Sequence, residues 1–394
     1  MTDQTKGLDK MKKVFAVMVA LLLCISLFAG CGEKYISTAD ADELNSSIVT
    51  KVGDVEITQA YYNFIYNLLY TQMSQYEQYY GADWINMEID VDKTIGDYIK
   101  ENTQAQIEQL AAATVIAKEY GIKVDSSVEK AVKSQKEEII KSYGSEENFK
   151  TFLEESRTTD MAVTTYLEMY EVFNKLFEKI TAKGEKAYIA DKEIEKEFLE
   201  EYKDKLRVQH ILISTQEQTD EKTGETIPAR SDEEAQKLVK EIIAKLDKGE
   251  DFDKLITEYD EDPGMEAGKF YVFGEGEMVA EFEQASKDLK VGEYTKEGVK
   301  TSYGYHIIKK YEINSEIEEF DTFKNTKLQE KVTEILEKKV KDLKVKWDEK
   351  TIDKYIENWI KERKKENEKT ASDAGVTMPS EEDLEAVESE TKAE

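Results

Sequence analysis

Only two histidines occur in this 394-residue chain. Both stand in short apolar runs with strand character, Val208-Gln209-His210-Ile211-Leu212 and Gly304-Tyr305-His306-Ile307-Ile308. Imidazole is the one side chain whose unperturbed charge change falls near neutral pH, and either ring nitrogen donates or accepts according to tautomer. A pair of strand-borne rings at the two ends of one block, residues 206–312, can therefore move a proton or anchor a polar network. Two independent core histidines are the plainer alternative. Metal chemistry has no foothold, because the histidines are far apart and the only cysteines are Cys24 and Cys31, so no zinc-ligand spacing exists and no cofactor is implied.

Cys31 invites a different chemistry. Met11-Lys12-Lys13 is a positive n-region, Val14 to Phe28 an apolar h-region, and Ala29-Gly30 a small-residue approach to Cys31, which together read as an export signal over residues 1–30. The apolar stretch is short for a spanning helix. Leu27-Phe28-Ala29-Gly30-Cys31 is similar to a bacterial lipobox, in which the cysteine thiol takes a diacylglyceryl group and becomes the mature N-terminus. Phe28 stands where that pattern prefers Leu, which leaves an uncleaved anchor or an ordinary secretory signal as alternatives. Met11 is an alternative start, since Met1 to Lys10 is polar. Cys24 lies in the h-region, so the processed chain keeps one thiol and no disulfide.

The formal charge is −30, and residues 1–30 carry four Lys and two Asp, so their removal leaves −32. Such a surface repels nucleic acid and anionic headgroups, and a nucleic-acid partner is excluded on that ground. Three prolines in the chain, with abundant Lys and Glu, point to a mostly helical architecture. Residues 31–46 read as a polar, lipidated tether and residues 47–58 as two short strands about a Gly53-Asp54 turn. Helices are expected at about 61–80, about 107–121, 126–142, 146–156, 158–180 and 191–204. The stripe Tyr62, Tyr66, Tyr70 is either packed core or a binding groove, and core is the commoner use of that spacing. Beyond the central block, Leu328, Val332, Ile335, Leu336, Val340 and Leu343 share one helical face, and Ile352, Tyr355, Ile356, Trp359 and Ile360 another. These stripes need a partner, and the N-terminal helices are the natural one. The expected organisation is thus an α+β multidomain chain: a mainly helical, discontinuous domain (47–204 and 313–365) with a small sheet-containing domain (205–312) inserted. Residues 366–394, rich in Glu, Lys and Ser without apolar periodicity, read as a disordered acidic tail.

Within the block, Leu206 to Ser214 reads as a strand, Ser231 as the cap of a helix carrying Ala235, Val239, Ile242 and Leu246, and Phe252 to about Asp260 as a short helix. Lys269 to Phe273 follows as a strand, Val279 to Leu289 as a helix, and 293–300 and 304–311 as closing strands. Five fragments recur in order: V-x-H-I-L at His210, G-E-D-F-D-K-L at 249–255, G-x-M-x-x-x-F-E-x-A from Gly276 to Ala285, L-K-V-G-E at 289–293, and T-x-x-G-Y-H-I-I from Thr301 to Ile308. In these the chain resembles the parvulin family of peptidyl-prolyl isomerases. With the lipobox and helical flanks it resembles the exported lipoprotein foldases of Gram-positive bacteria, which are related to periplasmic parvulin chaperones. Two departures stand out. A Gly-Gly-Asp-Leu-Gly-x-Phe stretch of the family is shortened by one residue to Gly268–Phe273, with Tyr271 in place of a glycine. The family's Cys or Asp position falls on Asp262, beside an unusual Pro263-Gly264 whose turn the Asp262 side chain could instead serve to nucleate.

The resemblance implies a parvulin fold, an isomerase site of His210, Asp262, His306 and Thr301, and a prolyl cup of Phe270, Met278 and Phe282, each of these three being an equally good core residue. Turning an X-Pro bond meets a barrier of about 20 kcal/mol because amide resonance is lost midway. No bond breaks, so neither nucleophile nor cofactor is required, and a covalent role for Asp262 is unsupported; the site must bind the twisted amide better than the planar isomers. Gln216 to Glu225 carries Glu217, Asp220, Glu221 and Glu225 against Lys222, a loop that would repel a phospho-Ser-Pro substrate. The expected partners are unfolded exported proteins containing X-Pro bonds and a membrane reached through Cys31, with a homodimer through the helical domain suggested by the resemblance. A holdase chaperone with a weak or inactive isomerase domain is the alternative, and a solute-binding lipoprotein lacks the required alternating βα pattern.

Overall fold

The computed structural model describes residues 38–74, 84–91, 93–219 and 226–373. The export signal, Cys31 and the acidic residues Asp220, Glu221 and Glu225 lie outside these residues. The described chain forms two compact units, one of residues up to Tyr188 and from Leu328 onward, the other Ile189–Lys327.

The first unit is mainly helical and discontinuous. It contains α1 (Thr38–Ser46), the hairpin β1 (Ile48–Val52) and β2 (Val55–Thr58), α2 (Gln59–Met73), the short pair β3 (Glu88–Asp90) and β4 (Lys93–Thr94), α3 (Ile95–Glu119), α4 (Ser126–Ser142), α5 (Glu146–Glu155) and α6 (Asp160–Thr181). Helix starts follow local chemistry: Thr94 and Asp97 form a capping box on α3, and Asp125 accepts the first free amides of α4. Helix α2 is buried along almost its whole length. Its tyrosines are core, not groove. Tyr62 meets Trp347 edge-on, Tyr66 meets Tyr355 and Trp359, and Tyr70 meets Trp359 at 4.4 Å between centroids. The C-terminal stripes thus close the N-terminal core, with Val332 and Leu336 packing beside Leu176 and Ile180 of α6.

Two expectations at the ends are corrected. Residues 38–46, read as tether, form α1, and the last helix continues to Asp373, into the segment read as disordered tail. A run such as Lys361 to Lys369 lacks an apolar face but has high helix propensity, and periodicity reports burial rather than helicity.

The second unit holds α7 (Asp191–Glu201), β5 (Leu206–Ser214), the short pair β6 (Gln218–Thr219) and β7 (Thr226–Ile227), α8 (Asp232–Asp247), α9 (Phe252–Tyr259), β8 (Tyr271–Phe273), α10 (Ala280–Asp288), β9 (Val299–Lys300) and β10 (Gly304–Tyr311). The division between units falls within α11 (Glu318–Leu343), and α12 (Glu349–Asp373) completes the first unit. The sheet is antiparallel in the order β8-β5-β10-β9. Successive residues of a strand face opposite sides. Ile211, Ile213, Tyr305 and Ile307 therefore pack under α8 and α9, while Val208, His210, His306 and Ile308 turn to the other face with Phe273 and Phe282. The expected strand over 293–300 shrinks to Val299–Lys300 with a lone bridge at Tyr294. The unit is also wider than 205–312: Ile194 and Phe198 of α7 bury against Ile317, Phe320 and Phe323.

Candidate active site

The two strands bring the histidines together. His306 pairs with Leu212 and Ile308 with His210, so the rings sit diagonally on one face of neighbouring strands. Their Nδ1 atoms are 3.0 Å apart, and both residues are buried. Thr301, in the turn before β10, places Oγ1 2.8 Å from His306 Nε2 and accepts the Tyr303 amide.

Asp262 arrives along the edge of β5 that β8 leaves uncovered. Beyond Val208 the neighbour of β5 is the segment 260–262. There Leu212 N donates to Asp260 Oδ1, Glu261 N to Leu212 O, and Ser214 N to the Glu261 carboxylate, which Arg230 grips with both terminal nitrogens. This lacing carries Asp262 Oδ2 to 2.9 Å from His210 Nε2. The contact is within ion-pair distance, yet the carboxylate lies off the ring's N–H axis, outside hydrogen-bond alignment. The other oxygen accepts the Gly264 amide at 2.8 Å.

One proton arrangement suits the charges of the cluster, with the His210 Nε2–H facing the Asp262 carboxylate without hydrogen-bond alignment. An ionised Asp262 only accepts, which puts the His210 proton on Nε2 and leaves Nδ1 an acceptor. His306 then donates from Nδ1 to His210 and accepts from the Thr301 hydroxyl at Nε2. The electrostatics agree. The neighbouring His210 ring, assisted by the Gly264 amide, lowers the Asp262 carboxyl against burial. Burial, with the adjacent His210, lowers His306 to about 3, so it is neutral at physiological pH. Burial raises Asp260 to about 6.

Phe282 of α10 underlies both rings, edge-on to each at 5.2 Å between centroids. Met278 packs into the same apolar cluster, and its loop is tied to α10 where Gly276 N donates to Glu283. Phe270 does not join them. It stacks on the Arg207 guanidinium and meets Tyr311 edge-on, because the pairing of Tyr271 with Val208 puts its neighbour on the opposite face of the sheet. Tyr271 takes the inner place instead, 5.4 Å from His210 between ring centroids, with its hydroxyl donating to Asp262 Oδ2 at 3.0 Å. Sequence reasoning singled out Tyr271 only as a departure, and missed Asp260 as the brace of the aspartate segment; the dense acidic run before Pro263 was the available signal.

Residues 193–313 match the model of the PPIC-type PPIase domain. Foldase protein PrsA 4 of Bacillus cereus is 32% identical over 68% of this chain and 84% of its own length. The chain belongs to the PrsA foldase family. PrsA of Caldanaerobacter subterraneus subsp. tengcongensis is 29% identical over 88% of this chain and 98% of its own length. PrsA of Geobacillus kaustophilus is 47% identical over 31% of this chain, a match that spans only 36% of that relative. The PrsA likeness and the domain match make the second unit a parvulin-type peptidyl-prolyl isomerase domain.

Proposed function

We propose that this chain is a membrane-anchored extracytoplasmic foldase that turns X-Pro bonds in exported, incompletely folded proteins. The observation that carries the catalytic part is the chain of buried Thr301, His306 and His210 ending at the half-buried Asp262, set against Phe282 and Met278. Planar amides are strongly dipolar, and the twisted amide has lost that charge separation along with its resonance. A site favours the twisted form when it grips the prolyl ring but offers the carbonyl little that stabilises the planar dipole. The cluster fits this need, because the Thr301 hydroxyl and the His306 Nδ1–H already have acceptors within it and the His210 Nε2–H faces the Asp262 carboxylate. Met278 and Phe282 supply the apolar wall for the ring. In this reading His210, His306, Thr301 and Asp262 set the field at the reacting amide, and Phe270 has no part.

The anchor is assigned to Cys31 on its lipobox-like context. Among the described residues no helix is long and apolar enough to cross a membrane. Two acyl chains hold a protein at a membrane where one is marginal, so Cys31→Ala should release the protein or leave an unprocessed precursor. Unchanged fatty-acid labelling of that variant would exclude the lipid anchor.

Turnover of a proline peptide, followed by NMR exchange, tests the catalytic part. His210→Ala and His306→Ala should each lower kcat/KM, and the double variant should lose less than the sum because the rings act as one unit. Suppression of client aggregation by the helical unit should survive in all three. Activities that merely follow melting would reduce the histidines to core residues.

A further inference from the structure

The two departures from the parvulin pattern, Pro263-Gly264 and Tyr271, meet in space. A Cβ built on Gly264 would stand 2.4 Å from the Tyr271 hydroxyl and 3.3 Å from Asp262 Oδ1. Gly264 is not among the glycines with positive φ, so its backbone is one that any residue can adopt. What requires glycine here is room for a phenol. The two positions are therefore sterically coupled: the phenol occupies the space that a side chain at 264 would take.

The phenol reaches the most consequential atom of the cluster. Asp262 Oδ2 lies between the Tyr271 hydroxyl at 3.0 Å and His210 Nε2 at 2.9 Å, and only the hydroxyl is aligned as a hydrogen bond. The Gly264 amide fixes the other oxygen at 2.8 Å. The carboxylate is thus held by tyrosine and backbone, with part of its charge drawn away from the imidazole.

Resting on the isomerase reading above, we propose that Tyr271 is a positioning residue: it shares the Asp262 carboxylate with His210, and so keeps that charge from drawing a proton onto His306, with Gly264 leaving room for the phenol. Without the hydroxyl, the full charge of Oδ2 faces the imidazoles, and His306, on which that charge acts against burial, protonates at less acid pH. The titratable groups facing Asp262 are His210 from β5, His306 from β10, Tyr271 from β8 and Asp260 on its own segment. All except Tyr271 remain in Tyr271→Phe, so a difference between that variant and wild type isolates the hydroxyl.

The test uses the full chain. Proline-peptide exchange is measured against pH for wild type, Tyr271→Phe, Gly264→Ala and the double variant, with melting and the imidazole 1H–15N spectrum of His210 recorded on each. Tyr271→Phe should fold, lose about five- to tenfold in plateau kcat/KM, as removal of a hydrogen bond to a charged group predicts, and move the acid limb toward neutrality. Its His210 Nε2–H resonance should move downfield as the carboxylate turns onto the ring. Gly264→Ala should produce the same limb shift by displacing the phenol. The double variant should melt above Gly264→Ala alone, because the added methyl then has space. An unchanged acid limb and an unchanged His210 resonance in folded Tyr271→Phe overturn the proposal. A wild-type protein without turnover would sink the isomerase reading instead, and the His210 resonance would still decide whether Tyr271 and His210 share Asp262.

Discussion

At the scale of single residues, the site carries two titrations of opposite sign. Asp260 has a folded value of about 6 against an ordinary 3.8, so the fold prefers its protonated form; that contribution is full below pH 3.8 and is lost as pH rises through 6. His306 has a folded value of about 3 against 6.5, so the fold prefers its neutral form; that contribution is full above pH 6.5 and is lost as pH falls through 3. Between pH 6 and 3.8 the two slopes oppose, each about 1.4 kcal/mol per pH unit at most. Asp260→Asn removes one of them. Chemical denaturation of the isomerase unit across that window should show a steeper loss of stability on acidification in Asp260→Asn than in wild type; parallel curves would mean that Asp260 does not titrate there. The histidines, Thr301 and Asp262 were legible because residue type and motif order mark them independently of backbone detail. Phe270 was misplaced for a physical reason. Face alternates at every residue along a strand, and the one-residue shortening between Gly268 and Phe273 leaves the phase of β8 undetermined until its pairing is seen.

At the scale of elements, the geometry of the cluster depends on the register of β5 against β10, and Gly304 guards the start of that pairing. It adopts φ of +148°, and a Cβ there would lie 2.2 Å from the Ile213 carbonyl oxygen. Gly304→Ala must force the strands apart beside Thr301 and His306. A loss of about 3 kcal/mol or more in the stability of the isomerase unit is expected, with activity falling before unfolding; an unchanged melting curve would show that the β5–β10 pair absorbs the methyl. Most helices were legible because caps and apolar stripes are local signals, as at Ser231 and Glu234, which form a capping box on α8. Helix α3 was not, since it begins at Ile95, behind a Thr94–Asp97 capping box, and not near 107. The strand expected over 293–300 is interrupted because the segment has only Tyr294 and Val299 as apolar residues, with Gly298 between them. Gly292, Glu293 and Thr295 still bond to Lys310 and Ile308 of β10, but regular pairing is confined to the Tyr294 bridge and Val299–Lys300.

At the scale of the whole molecule, the discontinuous helical unit was legible from unpartnered apolar stripes, but the limits of the isomerase unit were not. Ile194 and Phe198 form an ordinary helical stripe that does not say which neighbour it covers. In the structure Phe198 packs against Tyr202, Phe320 and Phe323. A fragment of residues 189–327 should therefore melt well above one of residues 205–312, which lacks both halves of that aromatic cluster. Equal melting of the two would make the cluster dispensable. The same topology sets a schedule. A chain that crosses a membrane in order, N-terminus first, completes the isomerase once Lys327 is through, since every residue of that unit is contiguous. The helical unit cannot close then, because the partners of Tyr62, Tyr66 and Tyr70 include Trp347, Tyr355 and Trp359, among the last to emerge. On the export reading proposed above, the molecule is during that interval an incompletely folded protein with an aromatic surface uncovered, the same condition that reading assigns to its substrates.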